Sequence, residues 1–195
     1  MAPTKSDALR RVVLDAAVAI SASSGPDALS LREVAREAGV SHQAPYHHFG
    51  DRAGIFAAIA EEGFTKLAEG LQLSRTHGAV SMCEAYVQFA LQYKGHFRVM
   101  FRSDLCEVGN YPSALFQADR AFEILLEEAA LILGPNTTQE QANVHATYMW
   151  SLAHGLATLL LDGPLEKRIG IQKDINALVH QVANIASLGL LHDFT

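Results

Sequence analysis

The sequence predicts an all-α protein, and three observations carry that prediction. Apolar residues recur three and four apart along almost the whole chain, and no segment shows sustained period-two alternation bounded by turn residues. Hydrophobic residues make up 49% of the 195 positions and charged residues 18%, so the chain can bury a core. Glycine and proline breaks, some of them close to a Ser or Thr able to cap a helix, divide the pattern into about nine helices.

The first helix is expected from about Lys5 to Ser24, with Leu9, Val12, Val13, Ala16, Ala17 and Ile20 as its apolar stripe. Gly25-Pro26 stops it. Ser30-Leu31-Arg32-Glu33 has the form of a capping box that opens helix two, with Leu31, Val34, Ala35 and Ala38 inward. Gly39 is the residue for a sharp left-handed turn, Val40 fills the corner, and Ser41 is placed to cap a brief helix three, His42 to Phe49. Helix four runs from Arg52 to about Ser74, with Ile55, Phe56, Ile59, Phe64 and Leu67 inward. Helix five is expected over Ser81 to Lys94, and a shorter helix six over Phe97 to Leu105. Helix seven follows Pro112, a favoured first-turn residue, and ends at Gly134-Pro135. Thr137-Thr-Gln-Glu140 reads as a second capping box for helix eight, which runs to about Leu161; "DGPLEKRIG" is a loop. Helix nine, Ile171 to Leu190, carries Ile175, Leu178, Val179, Val182, Ile185 and Ala186. That stripe is long for a terminal helix. A twin subunit packed on it would explain it, and burial within the monomer is the alternative.

No Pro/Gly-rich linker interrupts helix four, so a rigid helix joins an N-terminal three-helix head to a C-terminal helical bundle, with the junction near Phe64. Residues 1–55 are expected to form a helix-turn-helix DNA-binding domain with its recognition helix at about 42–49, and residues 56–195 an effector-binding and dimerisation domain. Charge follows the same division. Residues 1–55 hold six Lys/Arg against six Asp/Glu, and the rest of the chain carries the whole net charge of −6. Cys83 and Cys106 lie far apart and form no CxxC pair, which fits a reducing cytoplasm. The start "MAPTKSDALRR" has no apolar signal-peptide core. The longest apolar run, 148–161, is shorter than the roughly 20 residues a membrane span needs. A cytoplasmic protein without membrane contact is expected.

The most informative stretch is "SLREVAREAGVSHQAPYHHFGDR", residues 30–52. Two short helices around Gly39-Val40-Ser41 match the turn length of a helix-turn-helix, whose second helix enters the DNA major groove. His42 and Gln43 sit at its start, where side chains reach base edges; Gln pairs bidentately with adenine, and His donates to guanine or phosphate. Ala44 and Pro45 are small and apolar, suited to a thymine methyl. Tyr46 and His47 lie a turn later, placed for phosphates, and Arg32 and Arg52 bracket the motif as charged clamps, with Ser30 and Ser41 nearby. His48 and Phe49 are expected to pack inward. A metal site is not expected: neighbouring His47 and His48 diverge by about 100°, and no Cys or carboxylate pair completes a tetrahedral set. No catalytic arrangement of paired carboxylates or Ser/His/Asp stands out, and no cofactor is expected.

With these residues in place, the stretch resembles the TetR/AcrR family of one-component transcriptional regulators. Arg10, Val13, Leu14, Ala16 and Ala17 match the first-helix pattern, Gly25 and Ser30 the break and cap, and "REVAREAGVS" and "APYHHFGDR" the two helices of the motif. The resemblance implies that Tyr46, His47 and Arg52 contact phosphates and that His42, Gln43 and Ala44 face bases. Pro45, Arg52 and Ala53 depart from the common aliphatic residue, lysine and glutamate of the pattern. In the body, "MWSLAHGLATLLLDG" resembles the Trp-…-His-Gly helix of one subgroup of the family's ligand-binding domains through Trp150, His154 and Gly155, and "HFRVMFRSDL" resembles that subgroup's helix-six region. This implies a small-molecule effector and a homodimer through about 138–161 and 171–190.

Trp150 and His154 are four apart and share a helical face. Either Trp150 packs and His154 satisfies a buried partner, or they line an apolar effector pocket with Tyr86, Phe89, Phe97, Met100, Phe101 and Phe116. The function expected is a homodimeric DNA-binding repressor, released from a near-palindromic double-stranded operator by a small, largely apolar effector. The alternatives are a regulator without an effector, serving a protein partner or a structural role, and a ligand-dependent activator.

Overall fold

The computed structural model describes residues 4–163, 165 and 174–190, and every regular element among them is helical. The α-helices are α1 (Lys5–Ser24), α2 (Leu31–Glu37), α3 (Gln43–Phe49), α4 (Arg52–Ser74), α5 (Gly78–Gln92), α6 (Lys94–Met100), α7 (Pro112–Leu133), α8 (Gln139–Leu161) and α9 (Ile175–Leu190). Single 3-10 turns occupy Pro26–Ala28, Arg75–His77 and Val108–Asn110. The expected start of the last helix at Ile171, and most of the "DGPLEKRIG" loop, lie outside the described residues.

The helix starts follow local hydrogen bonding. Thr4 and Asp7 form a full capping box on α1. At α2 only half of the expected box forms: the Ser30 hydroxyl accepts from the Glu33 amide at 3.2 Å, while the Glu33 carboxylate turns to Arg36. At α8 the cap is Thr138 with Gln141, not Thr137 with Glu140, because the Thr137 hydroxyl donates to the Gly134 carbonyl at 2.6 Å and stays with the preceding turn. Helix α3 opens at Gln43 without a side-chain cap, so Ser41 does not take the capping role expected of it. Asp51 and Asp174 accept from the amides of Gly54 and Ala177 and fix the first turns of α4 and α9.

The α5–α6 region is shifted from the sequence expectation. Helix α5 begins at Gly78 and ends at Gln92, and α6 occupies Lys94–Met100, a turn earlier than expected. Tyr93, at φ −110° and ψ 42°, is the single residue between them. Beyond Met100, Asp104 draws the Arg102 guanidinium into a local pair (Nε–Oδ1 2.7 Å, Nη2–Oδ2 2.6 Å), and the chain continues in turns.

Two compact units divide the chain. The first takes the residues up to Thr65 together with Tyr93–Ala118; the second takes Lys66–Gln92 and the residues from Asp119 onward. In the first unit Val13, Ala17 and Ile20 of α1, Leu29, Leu31 and Val34 around α2, and Ile55, Phe56 and Ile59 of α4 form a core that Val99 and Cys106 complete. Helix α6 lies close on α1: a Cβ on Gly95 would run into the Val18 carbonyl oxygen, so the approach requires glycine. In the second unit α5 packs on α8 and α9 through buried Met82, Tyr86, Val87, Met149, Ala153 and Val179. Arg75 pairs with Glu127 and lies 3.6 Å from the buried Glu128 carboxylate, tying the turn after α4 to α7. Cys83 and Cys106 are both free, and burial pushes the Cys83 thiol up to about 11.

Candidate nucleic-acid interface and interior cavity

The turn between α2 and α3 is built by backbone bonds that only glycine makes easy. Gly39 sits at φ +65°, and the Val40 amide returns to the Ala35 carbonyl at 3.0 Å. Val40 then packs against the head core. This sets α3 across α1 and α2, with which it makes its packing contacts.

Helix α3 has two faces. Ala44 and Pro45 are buried, and His48 and Phe49 are half-buried beside them, with the Arg10 guanidinium 5.0 Å from the Phe49 ring centre. Ser41, His42, Gln43, Tyr46 and His47 are exposed. At about 100° per residue, positions 42, 43, 46 and 47 share one side and 44, 45, 48 and 49 the other. Ala44 therefore does not face bases, contrary to the expectation: it and Pro45 are apolar and fill the seam beneath the helix. Pro45 fits there because Ala44 already donates to the Ser41 carbonyl, at 3.0 Å, the acceptor that residue 45 would otherwise serve. The His47 and His48 rings stack at 5.4 Å. Among the described residues no three His, Cys, Asp or Glu side chains converge on a metal position.

The cations around the motif have separate tasks. Arg32 is exposed on α2, beside the exposed Ser30. Arg52 donates from Nη2 to the carbonyls of Pro26 and Asp27 at 3.0 and 3.3 Å and lies over the Phe56 ring, so it braces the α1–α2 turn. Between Arg36 and Arg52 the sequence contains no lysine or arginine, so the outward face of α3 presents amide, hydroxyl and imidazole groups without a fixed positive charge. Sequence reasoning missed Arg10, Arg98 and Arg102 as supports of the head; their partners are backbone carbonyls, an aromatic ring and Asp27, which no spacing rule announces.

The eight residues expected to line an effector pocket are divided between the two units. Phe97, Met100, Phe101 and Phe116 belong to the first unit, where Phe97 and Met100 are buried and Phe101 meets the Phe64 and Phe97 rings at 5.5 and 5.6 Å. Their apolar character serves that core, while Phe116 is 64% exposed. Tyr86, Phe89, Trp150 and His154 belong to the second unit. Tyr86 and Trp150 line a cavity of about 30 Å³ with Leu71, Met82, Leu125 and Met149; Phe89 and His154 lie outside that lining. The missed members sit on the inner stripes of their helices, where a lining residue and a core residue follow the same pattern.

The polar groups beside the cavity are joined to one another. Trp150 Nε1 donates to the Tyr86 hydroxyl oxygen at 3.1 Å, and that hydroxyl lies 2.9 Å from His154 Nδ1. Trp can only donate, so Tyr86 accepts from it and keeps its own proton to donate to a neutral His154. Burial lowers the His154 pKa and raises that of Tyr86, and both shifts favour these neutral forms.

Two family models match this chain. One, for bacterial regulatory proteins of the tetR family, covers residues 13–59. The other, a tetracyclin repressor-like C-terminal domain, covers residues 79–184. The chain belongs to the TetR family. TetR-family members are DNA-binding transcriptional regulators, usually repressors, and are not enzymes. This regulator is 25% identical over 179 residues to the uncharacterized HTH-type transcriptional regulator YobS of Bacillus subtilis, covering 86% of each chain. A protein of unknown function from Rhodococcus sp. RHA1 superposes with a TM-score of 0.72 at 27% identity over 93% of both chains. The fold is also that of NalD, the secondary repressor of the MexAB-OprM multidrug efflux pump in Pseudomonas aeruginosa, with a TM-score of 0.66, 18% identity and coverage of 97% and 100%. No described helix of the regulator is long and apolar enough to cross a membrane.

Proposed function

We propose that this TetR-family regulator is a homodimeric repressor that reads a near-palindromic operator and leaves it when a small, apolar effector binds. The observation that carries the reading is the outward face of α3, where His42, Gln43, Tyr46 and His47 stand exposed on a helix anchored by Ala44, Pro45 and Phe49. In this reading Gln43 and His42 meet base edges, and Tyr46 and His47 meet phosphates together with Ser30, Ser41 and Arg32. Residues 1–55 are the DNA-reading region and 56–195 the effector and dimer region. Two recognition helices enter successive major grooves about 34 Å apart.

The dimer reading is supported by an apolar stripe on α8, where Val144, Tyr148 and Leu159 are exposed and the space outside Gly155 is open, and by exposed Ile175 and Ile185 on α9. A second copy laid on about 138–161 and 171–190 would cover them. The effector reading is supported by the nearly all-apolar lining of the cavity. An effector of ordinary size fills about 300–1,000 Å³, so binding requires α5, α8 and α9 to separate, and it shifts the DNA-binding equilibrium by its preference for the opened state. The resemblance of Trp150, His154 and Gly155 to the Trp-xxx-His-Gly helix supports assigning the regulator to that subgroup. A regulator without an effector is the second reading, favoured by a cavity that holds about one water.

Selection of binding sites from random duplex DNA with the purified chain, over a salt series, tests the reading. Enrichment of a near-palindrome that apolar compounds release supports the effector-controlled dimer. A palindrome that no bound compound releases favours the effector-free regulator, and an asymmetric single site refutes the dimer.

A further inference from the structure

Helix α1 ends in an unusual way. Its last helical residue is Ser24, Gly25 turns out at φ +81°, and residue 26 is proline, which has no amide hydrogen. The Ala22 carbonyl would bond the amide of residue 26 if the helix continued, so the backbone that follows supplies no such donor. Helix α1 also has no basic residue in its last turn. The donor comes from α6: Arg98 Nη1 reaches the Ala22 carbonyl at 2.7 Å in a partly buried bond. A guanidinium there also sits at the negative end of the α1 dipole.

The surrounding turn is held the same way. Arg102 Nη2 lies 3.3 Å from the Asp27 carboxylate, and Arg52 donates to the carbonyls of Pro26 and Asp27. Three arginines from two parts of the chain therefore converge on residues 22–27, the segment that leads into Ser30 and α2. Gly95, one turn before Arg98 on α6, allows the close approach to Val18. Arg98 and Arg102 lie inside the match to the C-terminal domain family and outside the match to the N-terminal one, so neither belongs to the recognised DNA-reading segment.

We propose that Arg98 is a positioning residue for operator binding: from α6 it caps the end of α1, fixes the turn at residues 22–29, and so sets where α2 presents α3. It touches no DNA itself. Hydrogen bonds to a charged donor are the stronger kind, and the carbonyl has no backbone substitute, so loss of this one matters more than loss of an exposed pair such as Arg102–Asp27.

The test compares Arg98→Ala, Arg98→Gln and Arg98→Lys in the full chain with the parent on its selected operator, at a temperature where circular dichroism shows each folded. Parental binding is the control that separates failure of this proposal from failure of operator recognition. Arg98→Ala is expected to weaken operator binding about tenfold or more and to speed amide exchange at Ala28, Leu29 and Leu31, while Arg98→Lys recovers most of the affinity because its ammonium still donates to Ala22. If Arg98→Ala does not fold, the comparison of Gln with Lys decides, with Lys expected to bind tighter. Arg98→Ala or Arg98→Gln binding within about twofold of the parent, or Arg98→Lys as weak as the neutral variants, overturns the proposal.

Discussion

At the scale of single residues, α3 separates exposed polar side chains from buried anchors by side. Gln43→Ala is expected to relax preference at one operator position, at about 1–3 kcal/mol, whereas Tyr46→Ala should weaken binding to all sequences by a similar factor. Affinities measured on an operator panel with single-base changes distinguish these, and a uniform loss for Gln43→Ala would refute its base contact. Ala44 illustrates what the sequence hides. Its size suits a thymine methyl and equally a tight helix seam, and only the 100° spacing from Gln43, combined with the position of α1, decides between them. The outward placement of Gln43, Tyr46 and His47 was legible because polar residues on a short helix are seldom buried.

At the scale of elements, local chemistry announced most helices and misplaced a few boundaries. Two consecutive threonines before α8 offer two plausible caps, and the choice is made by whichever hydroxyl the preceding turn has already engaged. Thr138→Ala should therefore cost about 1 kcal/mol of stability, and Thr137→Ala should leave the α8 box intact, as equilibrium denaturation of both variants would show. The start of α6 was misread because its apolar residues begin at Phe97, while the feature that seats it is a glycine, Gly95, with no hydrophobic signal. Gly95→Ala is expected to destabilise by about 1–3 kcal/mol, since the Val18 backbone opposite cannot turn aside as a side chain can. A denaturation midpoint equal to the parent's would show that α1 and α6 part without penalty. The aromatic residues of α6 show a related ambiguity: a stripe of Phe and Met packs a core as readily as it lines a cavity, and contact with Phe64 is invisible in periodicity.

At the scale of the whole molecule, two properties can be measured without knowing the operator. His145 and His154 are both held below their ordinary pKa by burial. The folded state thus resists protons that the unfolded chain accepts, so this contribution to stability is complete above about pH 6.5 and is lost as pH falls through the lowered values. Thermal unfolding scanned from pH 8 to pH 5.5 should show the midpoint falling on the acid side, and a rise would reverse the assignment. Val144, 63% exposed on α8, gives the second test. Val144→Glu adds a charge where solvent reaches it in the single chain but not in the proposed dimer, so sedimentation should show more monomer with the helical content unchanged.

The face of α3 has no fixed cation, and the chain as a whole carries a charge of −6. Most of a regulator's hold on unrelated DNA comes from neutralised phosphates and grows with each lysine or arginine that releases a counterion. A molecule built this way lingers little on the wrong stretches of a genome. The proposed repressor is therefore expected to search mainly by leaving and re-encountering DNA, with short slides and fewer copies held on decoy sites. For such a repressor, a modest cellular concentration is expected to fill the operator and a modest fall in operator affinity to empty it.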